Sequence, residues 1–386
     1  MQSYAIRAAK FFAEDGVKED VLLLVEGGRF GDFVSRQQAE SMGIEIKEYP
    51  DCYVLPGLVD THLHGAMGSD VMDGTPEALG KIGRFLLSQG TTSWLPTTVT
   101  SPFNEIVKAA ANVAAAEMPA DAARVLGCFV EGPYFTAEHR GAHREDLLRE
   151  LSLAELKELA ACGSVRAVAA APEKKGIQEF IKEALSLGIK ISLGHSSADY
   201  QEAMAAIKAG ADAAVHTFCG MSTMHHRRPM LLGAVLTEDV VYTEVIADGL
   251  HVSLPALKIL LRCKPKDKII LISDALSSTG LPDGEYRLGL EPITLKDGVS
   301  RTKDGALAGS TAVLLSEVRR LIFELQVEPL AAIKMASLNP CRRFGFDDEI
   351  GSIRKGKKAD FLLTDKNYCL LEVAKEGIFF CSEDNA

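Results

Sequence analysis

The chain has 386 residues, of which 47% are hydrophobic and 25% charged, an ordinary composition for a globular protein with a sizeable core. Its formal net charge of −11 argues against a nucleic-acid-binding protein, because phosphate backbones are held by dense patches of lysine and arginine. The sequence predicts neither a membrane span nor a signal peptide, since no apolar run approaches roughly 20 residues and the first residues are interrupted by charges.

The cysteines also indicate the compartment. All eight are scattered singly along the chain, and none forms a Cys-x-x-Cys pair. A chain of this size does not need disulfides to fold, so the sequence predicts reduced thiols and a cytoplasmic location.

The two ends of the chain have the texture of short strands. The segments 5–8 and 21–34 are apolar, and glycines at positions 27, 28 and 31 predict a tight turn within the second. The last segment, from about residue 349, alternates turns with apolar runs in the same way. We expect residues 1–57 and 345–386 to fold together into one small discontinuous β domain, a β-sandwich.

Between the two ends, eight apolar runs alternate with helix-like, often alanine-rich segments. In chain order the runs are "GLVDTHLH", "TSWLPTTV", "VLGCFVEGP", "VRAVAAAPE", "KISLGHSS", "AAVHTFCG", "YTEVIADGLHV" and "KIILISDAL". Eight buried strands with helices between them, over about 250 residues, are typical of a (β/α)8 barrel of the TIM type. The sequence therefore predicts an α/β barrel as the catalytic domain, over residues 58–344.

Polar residues stand at the ends of several of these runs, where a (β/α)8 barrel has its active site. Side chains on a strand alternate between its faces, so His62 and His64 of the first run share one face. The other runs end in Glu131 (third), His195 (fifth), His216 (sixth), Asp248 and His251 (seventh) and Asp274 (eighth).

The joint pattern of these residues predicts a metal site. A single histidine at a strand end is more often a hydrogen-bonded structural residue than a ligand, and a His-x-His pair alone is a weak signal. Here, however, five of the nine histidines end four different predicted strands, and none follows residue 251. Imidazoles with a carboxylate are typical ligands of zinc-type sites that keep a position open for water, although Fe, Co and Mn accept the same ligands.

Several motifs, in their order and spacing, resemble the amidohydrolase superfamily and, within it, the N-acetylglucosamine-6-phosphate deacetylase family. The segment "LPGLVDTHLHG" is similar to the first-strand signature of the whole superfamily. More specific to the deacetylases are "EGPYF" (131–135), "GAH" (141–143), "SLGHS" (192–196), "HTF" (216–218), "HHR" (225–227), "ADGLHV" (247–252), "SDA" (273–275) and "LAGS" (307–310). The resemblance covers nearly the whole chain.

The resemblance implies a centre with one or two divalent ions, of which zinc is the first expectation. It implies that Glu131, His195 and His216 are metal ligands, and that His62 with His64 holds a second ion in those members that have one. Many binuclear amidohydrolases bridge their metals with a carbamylated lysine that ends the fourth strand. In this sequence the lysines at 174 and 175 lie beyond that predicted strand end, so Glu131 is the better candidate for the bridge.

The resemblance also implies a reaction and a substrate. It implies hydrolysis of the acetamide of N-acetyl-D-glucosamine 6-phosphate to acetate and D-glucosamine 6-phosphate in amino-sugar catabolism, with Asp274 as general base and acid. It further implies a homodimer in which Arg227 reaches the phosphate across the interface. The substrate-binding positions carried over from the family are Ala142, His143, Cys219, Gly220, Arg227, Asp248, His251, Leu307, Ala308 and Gly309.

Three alternatives stay open from the sequence. The pair Cys219-Gly220 stands where the family usually has Asn-Ala, which leaves N-acetylgalactosamine 6-phosphate as a rival substrate. A cyclic-amide hydrolase or deaminase on the same barrel is opposed by the "GAH" and "HHR" segments and by the missing lysine of the fourth strand. A non-catalytic metal-binding barrel is opposed by Asp274, because an acid/base residue contributes nothing to folding and would be lost first.

Overall fold

The computed structural model describes residues 3–381, except for the side chain of Cys381. The strands are β1 (Tyr4–Ala13), β2 (Gly16–Lys18), β3 (Leu22–Glu26), β4 (Arg29–Val34), β5 (Glu45–Pro56), β6 (Leu58–Leu63), β7 (Gly65–Ala66), β8 (Ser69–Asp70), β9 (Thr91–Thr98), β10 (Arg124–Val125), β11 (Cys128–Tyr134), β12 (Val165–Ala170), β13 (Lys190–Leu193), β14 (Ala213–Ala214), β15 (Tyr242–Val245), β16 (Ile269–Leu271), β17 (Gly284–Leu288), β18 (Glu291–Lys296), β19 (Val299–Thr302), β20 (Phe361–Thr364), β21 (Leu370–Lys375) and β22 (Ile378–Cys381).

Most of the α-helices lie between strands in the middle part of the chain. They are α1 (Arg36–Ser41), α2 (Pro76–Ser88), α3 (Phe103–Ala115), α4 (Leu153–Ala161), α5 (Ile177–Ser186), α6 (Tyr200–Ala209), α7 (Met230–Thr237), α8 (Leu254–Cys263), α9 (Leu314–Phe323), α10 (Pro329–Met335) and α11 (Leu338–Phe344). Short 3-10 helices lie at Val71–Asp73, Ala137–His139, Glu145–Leu147 and Lys266–Lys268.

The chain divides into two compact units. One contains the described residues up to Asp60, the segment Leu86–Ser93 and the described residues from Leu314 onward. The other contains Thr61–Phe85 and Trp94–Val313. The limits expected from the sequence, after residue 57 and at residue 345, stay a prediction about the domains. The segment 314–344, which contains α9 to α11, is grouped here with the terminal strands.

Strands from both ends of the chain pair in one mixed sheet, which confirms that the two ends form a joint β domain. Its order is β22-β21-β20-β5-β1-β3-β4, with β2 paired to β1. The central pair β1 and β5 is parallel, whereas β20 runs antiparallel to β5 and so joins the C-terminal strands to the N-terminal ones. Alternation along β1 buries Ile6 in one apolar cluster with Phe361 and buries Ala5 in another with Leu24.

All eight apolar runs of the middle segment form strands of a barrel. The strands are β6, β9 and β11 to β16, in that order around the sheet, and the pairings from β9 to β16 are parallel. The last strand end meets the first, because the backbone N–H of Asp274 donates to the carbonyl of His62 at 2.9 Å. The predicted (β/α)8 architecture is confirmed.

The helices between the strands follow from the apolar spacing of their sequences. In α5 the buried residues are Ile177, Phe180, Ile181 and Ala184, which lie on one face of a helix. In α6 the side chain of Asp199 caps the first turn and Glu202 returns a contact to the cap backbone. Gly210 ends α6 in the left-handed conformation.

A three-stranded antiparallel sheet, β17-β18-β19, is inserted after the last barrel strand and was not predicted from the sequence. Its residues Leu288 and Ile293 pack with Val99 in an apolar cluster. The turn between β17 and β18 is held by Asp70, whose Oδ2 accepts a hydrogen bond from the backbone N–H of Gly289 at 2.9 Å.

No helix among residues 3–381 is long and apolar enough to cross a membrane. The seven cysteines whose side chains are described form no disulfide with one another.

Candidate active site and metal centre

A residue just after each of three barrel strands has a left-handed backbone conformation. His195 follows β13 with φ of 48°, His216 follows β14 with φ of 23°, and Asp274 follows β16 with φ of 49°. Residues with a side chain rarely adopt this left-handed conformation, and holding them there costs about 1–3 kcal/mol each. Strained backbone of this kind is concentrated at functional sites, and here it coincides with three residues singled out from the sequence.

Glu131, on β11, is the centre of the cluster. Its side chain is buried, with only 2% of the residue exposed. Both carboxylate oxygens face histidine Nε2 atoms. Oε1 lies 2.9 Å from His216, 3.2 Å from His62 and 3.4 Å from His195, while Oε2 lies 3.1 Å from His64 and 3.4 Å from His143.

Asp274 lies on the His62 and His64 side of this cluster. Its Oδ1 is 3.2 Å from Nε2 of His64 and 3.8 Å from Nε2 of His62. Its backbone carbonyl accepts a hydrogen bond from the N–H of Ser310 at 2.8 Å, which connects it to the segment 307–310. The five predicted ligands and the predicted acid/base residue are therefore brought together by the fold.

Three of the rings are oriented by neutral oxygens at their Nδ1 atoms. A backbone carbonyl accepts the Nδ1–H of His64 and of His195 and so leaves Nε2 of these two rings for a metal, whereas Nδ1 of His143 also accepts the backbone N–H of Thr100 at 3.3 Å. The pairs are His64 with the Thr97 carbonyl at 3.1 Å, His195 with the His139 carbonyl at 2.8 Å, and His143 with the Thr100 hydroxyl at 2.8 Å.

The electrostatics of the cluster favour bound positive charge. Burial lowers the pKa of His64, but hydrogen bonds to Asp274 and Glu131 outweigh it and raise that pKa to about 9. Burial would raise the pKa of Glu131, yet the surrounding histidines hold it well below its usual range. His195 differs, because burial and the neighbouring His143 and His216 lower its pKa to about 4, although the nearby Glu131 carboxylate acts to raise it.

The donor set fits a divalent metal ion. Three groups of buried side chains place their ligand atoms within 4.8 Å of one another: His62 with His64 and Asp274, His62 with Glu131 and His216, and Glu131 with His143 and His195. Nε2 of His195 is buried and has no hydrogen-bond partner within residues 3–381, although it faces Glu131. Imidazole and carboxylate donors converging in this way suit zinc and its first-row neighbours.

A cavity of about 320 Å³ opens onto the cluster, a size that suits a small-molecule ligand. Its walls contain most of the residues predicted to bind substrate. The lining residues are His64, Glu131, Gly141, Ala142, His143, His195, His216, Cys219, Gly220, Ile246, His251, Asp274, Leu288, Ala306, Leu307 and Gly309.

Three predicted substrate residues are not in this lining. Arg227 lies in an exposed turn, where its Nη1 is 2.8 Å from Nε2 of His226. Asp248 lies behind His251, with its Oδ2 2.7 Å from Nδ1 of that ring. The side chain of Ala308 is fully buried in the apolar cluster that also contains Leu288.

The fourth barrel strand contributes no lysine to the centre. Lys174 follows β12 and its Nζ contacts Oε1 of Glu150 at 2.7 Å, so it is engaged in an ion pair. This placement agrees with Glu131, not a lysine, as the group between the two sets of histidines.

Reasoning from the sequence missed Glu244 and the apolar part of the wall. Glu244, on β15, is fully buried, and its Oε2 lies 3.1 Å from Nδ1 of His62. The sequence signal for Glu244 is a carboxylate inside the apolar run "YTEVI" (242–246), where an apolar side chain is expected. Leu288 and Ala306 come from the inserted sheet and the loop that follows it, and their sequence carries no comparable signal.

The chain is similar to a known protein family and to several of its characterised members. A model of the Amidohydrolase family matches residues 53–385. An N-acetylgalactosamine-6-phosphate deacetylase of Escherichia coli O157:H7 is 39% identical over 378 residues, which cover 97% of this chain and 98% of the relative. An N-acetylglucosamine-6-phosphate deacetylase of Vibrio furnissii is also 39% identical, over 84% of this chain and 82% of the relative.

Solved structures agree with these relatives. The N-acetylglucosamine-6-phosphate deacetylase of Pasteurella multocida superposes with a TM-score of 0.93 at 26% identity, covering 98% of this chain and 100% of that one. A mutant deacetylase of Mycobacterium smegmatis, in complex with N-acetyl-D-glucosamine-6-phosphate, gives a TM-score of 0.91 at 26% identity, over 98% and 99% of the two chains.

Proposed function

The chain belongs to the amidohydrolase family, and we propose that it hydrolyses the acetamide of N-acetyl-D-glucosamine 6-phosphate to D-glucosamine 6-phosphate and acetate. The observation that carries the proposal is the convergence of five histidine rings on the buried Glu131, with Asp274 against two of those rings. The similarity of nearly the whole chain to deacetylases of amino-sugar phosphates supports the proposal.

The reaction requires a divalent metal, with zinc as our first choice among Zn, Fe, Co and Mn. Glu131, His195 and His216 would hold one ion, while His62 and His64 would hold a second that shares Glu131. When bound, a divalent ion lowers the pKa of water to about 7 and polarises the scissile carbonyl.

Asp274 moves the proton. As a carboxylate it accepts a proton from the attacking water while the water oxygen bonds to the acetamide carbon. The carbon–nitrogen bond then breaks, and Asp274 returns the proton to the sugar nitrogen, because an amine leaves poorly unless it is protonated. In the metal-free chain, hydrogen bonds and charges of His64 and His62 hold the pKa of Asp274 below its usual range against its burial. Asp274 would stay a carboxylate that can accept the proton when the positive charge of a bound divalent ion takes the place of these histidine protons.

Other residues of the cavity position the substrate. His143 faces Glu131 from the cavity wall and is placed to contact the acetamide oxygen, while His251 is held by Asp248 toward the sugar. We assign binding of the substrate phosphate to Arg227 from the neighbouring subunit of a homodimer. The exposure of Arg227 and its place outside the cavity lining of its own chain, within residues 3–381, support this assignment.

N-acetylgalactosamine 6-phosphate is the second candidate substrate, and it differs only in the configuration of one sugar hydroxyl. Cys219 and Gly220 line the cavity where the family usually has Asn-Ala, and the relative from Escherichia coli named for the galacto sugar is 39% identical. A small apolar pair offers fewer hydrogen bonds to a sugar hydroxyl than an asparagine does.

The test is a comparison of kcat/KM for acetate release from three compounds, namely the two sugar phosphates and unphosphorylated N-acetylglucosamine. We expect the gluco phosphate to be hydrolysed best and the unphosphorylated sugar worst. A higher kcat/KM for the galacto phosphate would replace the main proposal with the second. Equal kcat/KM for the phosphorylated and unphosphorylated gluco sugars would show that the enzyme does not recognise the phosphate.

A further inference from the structure

Glu244 is a buried carboxylate directly beneath the cavity. It lies on β15, and two residues further along the chain, on the same side, Ile246 lines the cavity wall. Glu244 therefore lies one layer deeper in the barrel than the wall. Neither Glu244 nor His62 has any exposed surface, and Oε2 of Glu244 is 3.1 Å from Nδ1 of His62.

A carboxylate at this depth is costly for folding. Barrel interiors are normally filled by branched apolar side chains, and a buried charge destabilises the protein unless a partner compensates it. Since a valine or isoleucine would be the ordinary choice for packing, the presence of Glu244 calls for a role that packing does not supply.

Its partner His62 differs from the other oriented rings of the cluster. The Nδ1 atoms of His64 and His195 face neutral backbone carbonyls, whereas Nδ1 of His62 faces a carboxylate. His62 also belongs to two of the three donor groups. A carboxylate behind a ligating imidazole fixes its tautomer and makes the other nitrogen a stronger donor.

We propose that Glu244 is a positioning residue that makes the second metal site: it holds the Nδ1–H of His62 so that Nε2 is presented as the donor opposite Glu131. This inference rests on the metal dependence in the proposed function, but not on the identity of the sugar. Under this proposal, Glu244, which is not itself a metal ligand, determines whether this chain binds one ion or two.

The experiment measures metal affinity in three variants of the full-length protein. Glu244→Gln keeps an acceptor for Nδ1–H but removes the charge, and Glu244→Leu fills the volume but removes both. Thr243→Val is the matched control, because Thr243 is a fully buried neighbour on the same strand that faces the other way. Each protein is stripped with chelator, titrated with Zn²⁺ at buffered free concentrations, and its bound metal is counted by elemental analysis.

For Glu244→Leu we expect the weaker zinc ion to bind about 10–100-fold less tightly, with the tighter ion unchanged. Glu244→Gln should recover part of that loss, and Thr243→Val should match the wild type. Thermal unfolding of the stripped proteins identifies a variant that fails to fold, in which case Glu244→Gln carries the comparison.

Unchanged affinity in Glu244→Leu would overturn the proposal, because leucine supplies packing alone. Equal weakening of both ions, or a wild-type protein that binds a single ion at saturating Zn²⁺, would overturn it as well. If Glu244 controls the second ion but the wild type releases no acetate from either sugar phosphate, the proposed reaction fails while the inference about Glu244 stands.

Discussion

At the scale of single residues, the contacts of Glu131 and Asp274 explain why these two carboxylates have different roles. Histidines contact both carboxylate oxygens of Glu131, so Glu131 is placed to be a ligand shared by two ions. Asp274 contacts two of the same rings through Oδ1, and 11% of its side chain is exposed against 3% for Glu131, so it is placed to meet a substrate. One carboxylate therefore suits metal binding and the other suits proton transfer.

Replacing Asp274 with asparagine should separate these two roles. Asparagine keeps the shape but cannot accept the proton of water, so we expect kcat to fall by about 10²–10⁴. Bound metal, measured by elemental analysis, should stay at the wild-type level. A variant with near-normal kcat would remove Asp274 from the mechanism.

Replacing Arg227 with alanine should affect binding more than chemistry. An arginine on a remote phosphate contributes to ground and transition state alike, so its loss should raise KM for the phosphorylated sugar about 10–100-fold, as expected for a charge-assisted hydrogen bond of about 1.5–3 kcal/mol. Arg228→Ala, in the same exposed turn, is the control. If KM for unphosphorylated N-acetylglucosamine rises by the same factor, Arg227 does not bind phosphate.

At the scale of elements, the strand ends fix the site and the loop 305–310 supports it. Gly309 has φ of 49°, and a Cβ built on it would lie 2.6 Å from the backbone carbonyl oxygen of Asp274. Only glycine allows this approach without displacing Asp274. The loop thereby becomes part of the catalytic geometry, although it contributes few side-chain donors.

The substitution Gly309→Ala should reduce both stability and activity. Left-handed strain alone costs roughly 1–2 kcal/mol, and the contact with Asp274 adds to it. Gly305→Ala is the matched control, because Gly305 also has positive φ (83°) but open space around its Cβ position. Chemical denaturation and kcat should show a larger loss for Gly309→Ala. Equal losses would mean that the approach to Asp274 is unimportant.

The sequence predicted these elements to different extents. The eight barrel strands were readable because each is a short, buried apolar run, and their polar ends named the ligands and Asp274. The inserted sheet β17 to β19 was not readable, since its strands bury little beyond Leu288, Ile293 and Leu295 and look like surface loop. Glu244 stands out in the sequence as a carboxylate within an apolar run, but its contact with His62 is visible only in the closed barrel.

At the scale of the whole molecule, the cluster links stability to metal and to pH. The chain carries a net charge of −11 and concentrates buried carboxylates at the barrel mouth. Without metal, protonated histidines are the cations that neutralise them. A bound divalent ion would replace those protons, and binding to the folded state alone stabilises that state.

The metal-stripped protein should therefore lose stability as the pH rises from about 6.5 to 9. The pKa of His64 is raised to about 9 in the folded state, from an ordinary value of 6.5, so the folded chain holds a proton that the unfolded chain has released. That contribution is complete below pH 6.5 and disappears through pH 9. Thermal unfolding of stripped wild type and of His64→Asn would show it, and a Tm that rises with pH over this interval only in the wild type would contradict it.

The most direct test of the central claim is acetate release from N-acetyl-D-glucosamine 6-phosphate by one preparation, measured as purified, after chelation and after metal is returned. We predict hydrolysis that is abolished by chelation and restored by Zn²⁺ in proportion to the ions bound per chain. A folded protein that binds metal yet releases no acetate in any of the three states would contradict the account.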